Sequence, residues 1–328
     1  MAESESCSHD CSDCNVEGCG DRASGPRTIK TNAYSNVRHV VGVVSGKGGV
    51  GKSLVTSLLA CELRKLGFKV GILDADVTGP SIPKTFGVKN PLTGDRNGNI
   101  IPNRTRTGIK VVSTNMMLPR EDMPVAWRGP VVSGAIQQFY SETNWGEIDY
   151  LLVDMPPGTS DVLLTVFQSL PIDGIVTVSA PQELVSMIVG KAVNLASEMN
   201  VKLLGLVENM AYFKCDECGK VHYIFGEPQG AKVAEHYGIP ACATLPLDPE
   251  FARLCDEGRV EEYTVGGALD PIIAQIEKAA AEKEAAQQAQ AEARQTQVQA
   301  QGQQAQPDDE RSQAQVEQAK AQVQSQEE

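Results

Sequence analysis

Gly46-Lys47-Gly48-Gly49-Val50-Gly51-Lys52-Ser53 decides how the rest of this chain is read. The eight residues fit G-x-x-x-x-G-K-[ST], a loop whose backbone N–H groups turn inward around phosphate oxygens. Ahead of it runs His39-Val40-Val41-Gly42-Val43-Val44, the composition of a buried strand. Behind it, Leu54, Leu58, Leu59 and Leu63 recur near helical spacing, and Gly67 marks the end of the helix they predict. Strand, glycine loop and helix in that order is the context that makes the motif specific. The glycines admit the tight backbone path, and the helix start adds partial positive charge. Lys52 is placed to reach the β- and γ-phosphates of a nucleoside triphosphate, and Ser53 to ligate Mg²⁺.

Working outward, apolar strand runs recur at Val70–Leu73, Tyr150–Val153, Gly174–Ser179, Leu203–Val207 and Ala243–Leu245. Leu184, Ile188, Ala192, Leu195 and Ala196 outline an amphipathic helix between two of them. Continuous apolar strands alternating with helices predict an α/β fold with a mostly parallel sheet covered on both faces. Ligands of such sheets bind at the carboxyl ends of the strands. Composition divides the 328 residues into three parts. Residues 1–36 form a polar, cysteine-rich arm, and 37–277 carry nearly all the large apolar side chains. Residues 278–328 are rich in Gln, Ala and Glu and contain no aromatic residue, no Leu and no Ile. So little apolar surface does not offset chain entropy, and that stretch is expected to be a disordered or transiently helical tail.

The formal net charge of −13 argues against non-specific nucleic-acid binding and against a polybasic membrane anchor. No run approaches the ~18 apolar residues of a membrane span, and the acidic N-terminus lacks a signal-peptide core. The expected location is the cytoplasm. In that reducing compartment nine cysteines read as thiols or metal ligands rather than disulfides.

Two acidic sites suit phosphoryl transfer, which needs a metal and an oriented water more than covalent chemistry. Asp74-Ala75-Asp76 ends the second strand, and alternation puts both carboxylates on one side. Asp154 closes Tyr150-Leu151-Leu152-Val153, the pattern of a metal-binding carboxylate at a strand end. A second kind of chemistry lies in Cys215-Asp216-Glu217-Cys218-Gly219, where two close thiols can grip one metal centre. Taken alone, C-x-x-C leaves open a redox dithiol, half a zinc site with His222 as a third ligand, or half an iron–sulfur site. Cys7, Cys11, Cys14 and Cys19 fall within thirteen residues and can enclose one metal, iron–sulfur or zinc, with His9 as an extra donor. Cys61, Met116, Met117, Met187 and Met199 read as core residues.

Lys47 gives the phosphate loop an early second lysine, and this form resembles the deviant Walker A of MinD-like ATPases. The resemblance narrows with Asp74-Ala75-Asp76-Val77-Thr78-Gly79-Pro80-Ser81-Ile82-Pro83, Trp127-Arg128-Gly129-Pro130, Asp154-Met155-Pro156-Pro157-Gly158-Thr159-Ser160-Asp161 and Val207-Glu208-Asn209-Met210. Together these resemble the Mrp/ApbC-type iron–sulfur cluster carrier ATPases over about residues 37–265, with Ser160 where that family usually has Gly. The resemblance implies a slow ATPase that binds a [4Fe–4S] cluster and passes it to apoproteins as a homodimer or heterodimer. It implies that Lys47 reaches the partner subunit's phosphates, that Asp76 positions the attacking water and that Asp74 assists Mg²⁺. Asn209 would hydrogen-bond the adenine base. Cys215 and Cys218 would hold the cluster jointly with the same pair from the second subunit. Zinc in that four-thiolate site is the rival. As whole-protein alternatives stand a MinD-like spatial regulator, a reductase like the nitrogenase iron protein, and a zinc-stabilised module switched by nucleotide.

Overall fold

A computed structural model describes residues 28–76, 79–117, 129–158, 161–181 and 185–304. Cys7, Cys11, Cys14 and Cys19, Val77-Thr78, Trp127-Arg128, Thr159-Ser160 and residues 305–328 lie outside the described residues.

In chain order the strands are β1 (Ser35–Ser45), β2 (Val70–Asp74), β3 (Thr93–Gly94), β4 (Ile100–Ile101), β5 (Asn103–Arg104) and β6 (Lys110–Ser113). They continue as β7 (Gly146–Asp154), β8 (Gly174–Ser179), β9 (Lys202–Lys214), β10 (Val221–His222) and β11 (Cys242–Pro246). The helices are α1 (Lys52–Lys65), α2 (Ile82–Thr85), α3 (Gly129–Ser141), α4 (Asp161–Ser169), α5 (Val185–Glu198), α6 (Gly230–Tyr237), α7 (Pro249–Asp256) and α8 (Asp270–Gln304). The main sheet has nine strands in the order β10-β9-β8-β1-β7-β2-β6-β5, with β11 also paired to β9. Only β10 and β5 run antiparallel to their neighbours in this sheet. This is the α/β fold, with a mostly parallel sheet, that the apolar runs predict.

Strand alternation distributes the core. Val41 and Val43 of β1, Ile72 of β2 and Leu152 of β7 face one layer, shared with Leu58, Leu59 and Leu63 of α1 and Ile272 and Ile276 of α8. Val40 and Val44, Leu73, and Leu151 and Val153 face the other, against Ile136 and Phe139 of α3, Val166 of α4 and Leu195 of α5. Both faces are apolar because both are covered by helices.

Helix α8 crosses the boundary at 277/278 that composition suggests and continues to Gln304. Ala279 and Ala280 are buried in the core. Lys283 Nζ donates to Asp173 at 2.7 Å from Oδ1 and to the Arg38 carbonyl at 3.0 Å. Small and charged residues therefore anchor this part of the helix, which a reading based on large apolar residues does not anticipate. From 285 to 296 every residue is exposed. Two methionines also depart from expectation: Met117 and Met187 are 54% and 51% exposed rather than core residues.

Candidate functional site

The parallel register builds the site. It aligns Ser113 with Asp74 and Asp74 with Asp154 across β6, β2 and β7, and Asp154 with Val43 of β1. Three strand ends thus bring their polar residues to one row beside the phosphate loop, which leaves β1 at Ser45 and enters α1 at Lys52.

Asp154 is the centre of this row. It is fully buried. Lys52 Nζ lies 2.8 Å from its Oδ1 and 3.5 Å from Asp76 Oδ2. The Ser53 hydroxyl donates to Asp154 Oδ2 at 2.5 Å, and the Thr56 hydroxyl lies 2.8 Å from Oδ1. One turn of α1 therefore presents an ammonium and two hydroxyls to a single carboxylate. Asp74 stands behind it. Its Oδ2 accepts from the Ser113 hydroxyl at 2.9 Å and its Oδ1 from the Asp76 N–H at 3.2 Å. Burial, then the nearby Asp154 carboxylate, push Asp74 above the usual carboxylate range, against the pull of Lys52.

Gly51 has φ +82°, and a Cβ there would lie 2.2 Å from Asn209 Nδ2. That close approach lets Asn209 Nδ2 donate to the Val50 carbonyl at 3.0 Å. Asn209 also lines a cavity with Leu58, Tyr212, Leu245, Phe251 and Tyr263. Aromatic and aliphatic walls with one amide make a slot suited to a flat heterocycle. Lys47 is half-buried, while Gly48 and Gly49 are exposed on the loop.

The cysteine pair sits beyond the carboxyl end of β9, on the same end of the sheet as the phosphate loop. Cys215 N–H donates to the Lys220 carbonyl at 3.0 Å, and Gly219 N–H to the Cys215 carbonyl at 2.8 Å. This closes a tight turn between β9 and β10. The backbone N–H groups of Cys218 and then Glu217 hold the Cys215 thiol below its ordinary value. Cys218 is exposed. Among the described residues no three His, Cys, Asp or Glu side chains group around a metal position.

A family model described as ParA: NUBPL iron-transfer P-loop NTPase matches residues 36–282. The chain belongs to this family. The proteins it is similar to include a Clostridium perfringens protein named iron-sulfur cluster carrier protein. That relative is 47% identical over 80% of this chain and 94% of its own. A protein of the same name from Saccharolobus solfataricus is 50% identical over 68% of this chain and 76% of its own. Among solved structures, a nucleotide-binding protein from Archaeoglobus fulgidus in complex with ADP superposes with TM-score 0.63 at 45% identity. It covers 70% of this chain and 89% of its own. The cell division ATPase MinD of Pyrococcus furiosus, at 20% identity and TM-score 0.54, shares the fold.

Lys52, Ser53, Asp76, Asp154 and Asp74 are brought together, and Asn209 joins them through Val50. Sequence reading missed Thr56 and Ser113. Thr56 carried a signal, since it follows Lys52 by four residues and shares its helix face. Ser113 carried none, because which strands become neighbours is not written locally.

Proposed function

We propose that this NTPase hydrolyses ATP slowly and carries a [4Fe–4S] cluster, held between two copies of the chain, to apoproteins. The observation that carries the reading is the Cys215–Lys220 turn. It offers two thiols on one tight turn, closed by Cys215 N–H to Lys220 and Gly219 N–H to Cys215, on the face that also bears the phosphate loop. One chain supplies two thiolates, and two copies supply the four that such a cluster takes. Iron and sulfide are the cargo, and the name shared by the relatives agrees with that cargo.

The second copy has support in the distribution of exposed apolar residues. Met117 follows β6, Val131 and Met187 lie in the first turns of α3 and α5, and Tyr223, Ile224 and Phe225 follow β10. Met117, Val131 and Met187 follow parallel strands, and Tyr223, Ile224 and Phe225 leave the short antiparallel β10 beside the last residues of β9, so all lie toward the carboxyl end of the sheet. Apolar exposure concentrated on one face marks an interaction surface.

For the ATPase, Gly46, Lys47, Gly48, Gly49, Val50 and Gly51 form the phosphate cradle and Asn209 meets the base. The hard oxygens of Ser53 and Asp154 suit Mg²⁺, which would supply charge neutralisation at the transferred phosphoryl group. Lys52 exchanges its contacts with Asp154 and Asp76 for phosphate oxygens. Asp76 then orients the attacking water, and Lys47 reaches the partner's phosphates. Asp74 accepts from the Ser113 hydroxyl and the Asp76 N–H, which fixes Asp76, and from that position behind Asp154 it assists Mg²⁺. The arm with Cys7, Cys11, Cys14 and Cys19 is proposed as a further iron–sulfur or zinc site.

The test is anaerobic reconstitution with iron and sulfide of wild type and of Cys215→Ala. Wild type should take up a brown chromophore with iron and sulfide in excess of what the variant holds, while both bind ATP alike. A protein that retains zinc at Cys215 and Cys218 and refuses iron would overturn the carrier reading. For the ATPase, Asp76→Asn should lower turnover by about 10²-fold or more while ATP affinity changes little.

A further inference from the structure

Between Asn209 and Cys215, strand β9 is irregular. Glu208 pairs with Thr244 of β11, yet the next paired residues are Tyr212 and Pro246, so β9 holds two more residues than β11 in the interval. Within this bulge Met210 has φ +55°, a left-handed conformation that a side chain such as methionine rarely adopts. The bulge separates Asn209, which bonds Val50 of the phosphate loop, from the residues of the cysteine turn.

The cavities on either side of it share a wall. The slot next to Asn209 and a second cavity next to Cys215, Asp216 and Gly219 are both lined by Tyr212 and Pro246. A hydrogen bond also spans the two. Tyr263, whose ring lines the slot and packs 4.7 Å from Phe251, donates its hydroxyl to Asp248 Oδ2 at 2.7 Å, and Asp248 lines the cysteine cavity. Asp248 in turn caps α7 by accepting from the Glu250 N–H at 2.8 Å, and Leu247 N–H donates to the Tyr212 carbonyl at 2.7 Å.

We propose that Tyr212, Pro246 and the Tyr263–Asp248 pair are a moving partition through which a base in the slot sets the exposure of Cys215. The proposal rests on the reading that the slot takes the adenine base. A ring entering between Leu58, Asn209 and Tyr263 meets the face of Tyr212 and Pro246 whose other side walls the cysteine cavity. A well-packed interior does not absorb such a displacement gradually, so the wall shifts as a unit. The bulge at Met210 gives β9 a place to flex without disturbing the paired strands below it. Tyr212 and Tyr263 are positioning residues in this account, because neither touches the cluster or the phosphates.

The measurement is the rate at which iodoacetamide alkylates Cys215, followed residue by residue by mass spectrometry on the metal-free full chain, with and without saturating Mg-ADP. Burial pushes the thiols of Cys61 and Cys255 up to about 12, so both react slowly and report whether each variant is folded. In wild type, Mg-ADP should change the Cys215 rate at least about fivefold, the low end of common coupling between ligand sites. Tyr263→Phe keeps the ring and removes the hydroxyl, and Tyr212→Ala removes the wall. At saturating nucleotide, checked by titration calorimetry for each variant, both should bring the ratio close to one. A wild-type rate indifferent to bound Mg-ADP overturns the partition. So does a full wild-type response in Tyr263→Phe and Tyr212→Ala alike, which would assign the change to subunit association. Absence of Mg-ADP binding to wild type would instead sink the base-slot reading beneath it.

Discussion

The hydroxyl of Thr56 lies 2.8 Å from Asp154 Oδ1 and 3.0 Å from the Lys52 carbonyl, and it is buried. Thr56→Val keeps the shape and removes a donor from the buried carboxylate at the centre of the site. A lost hydrogen bond to a buried charge costs about 1.5–3 kcal/mol, which urea unfolding would register. Gly51 makes a sharper case. Alanine there would need a left-handed backbone and would strike the amide of Asn209. Gly51→Ala should weaken ATP binding by at least about tenfold, because the left-handed strain alone is of order 1–3 kcal/mol. Titration with ATP checks it. Both residues differ in how far their roles could be read beforehand. Gly51 belongs to a loop motif that names its own chemistry. Thr56 is an ordinary helix residue until the Asp154 carboxylate is placed beside it.

Helix α8 is the element least visible in composition. Its second half lacks large apolar residues, yet its middle is held at the base of the sheet. His39 Nε2 is 3.3 Å from Glu284, and Asp173 receives Lys283 and the Val40 N–H. Burial pushes Asp173 upward, but the side chains of His39 and Lys283 and the Val40 N–H outweigh it and leave the carboxyl below its usual range. A carboxyl lowered in the folded state stabilises the protein fully above its unfolded value, near pH 4. That contribution fades as pH falls through the lower folded value, because the unfolded chain takes up the proton first. Asp173→Asn should therefore cost stability at pH 7, of order 1–3 kcal/mol, and flatten the acid limb of the stability–pH curve. Thermal unfolding from pH 3 to 7 tests this. Apolar periodicity made the strands and α1 legible because each buries large side chains on both faces. It failed past residue 277 because Ala279, Ala280 and ion pairs do the holding there, and alanines in a polar stretch resemble a tail.

At the scale of the molecule, one end of the sheet gathers nearly everything with chemistry. The phosphate loop, the Asp154 row, the slot beside Asn209, the cysteine turn and, among the described residues, most exposed large apolar side chains lie toward the carboxyl ends of the strands. The phosphate loop and the acidic strand ends announced this arrangement, since such sheets bind ligands there. Met117 and Met187 did not, because a methionine reads as core until its helix or strand end is known to lack a cover. If the face is where two copies meet, Phe225→Ser should weaken self-association without altering the fold. Sedimentation equilibrium with ATP would read it as at least about a fivefold rise in the dimer dissociation constant, the loss of one buried aromatic anchor being worth 1 kcal/mol or more.

The free stretch of α8 bears on how such a dimer would be recognised. Residues 285–304 continue the helix past its last anchor, with 285–296 exposed on all sides. At 1.5 Å per residue this is a spar of about 30 Å, comparable to the width of a small domain. A particle with such a spar meets more friction than a sphere of equal mass. A single copy will migrate on a sizing column as something larger, and mass must be read from sedimentation equilibrium or light scattering, where drag does not enter.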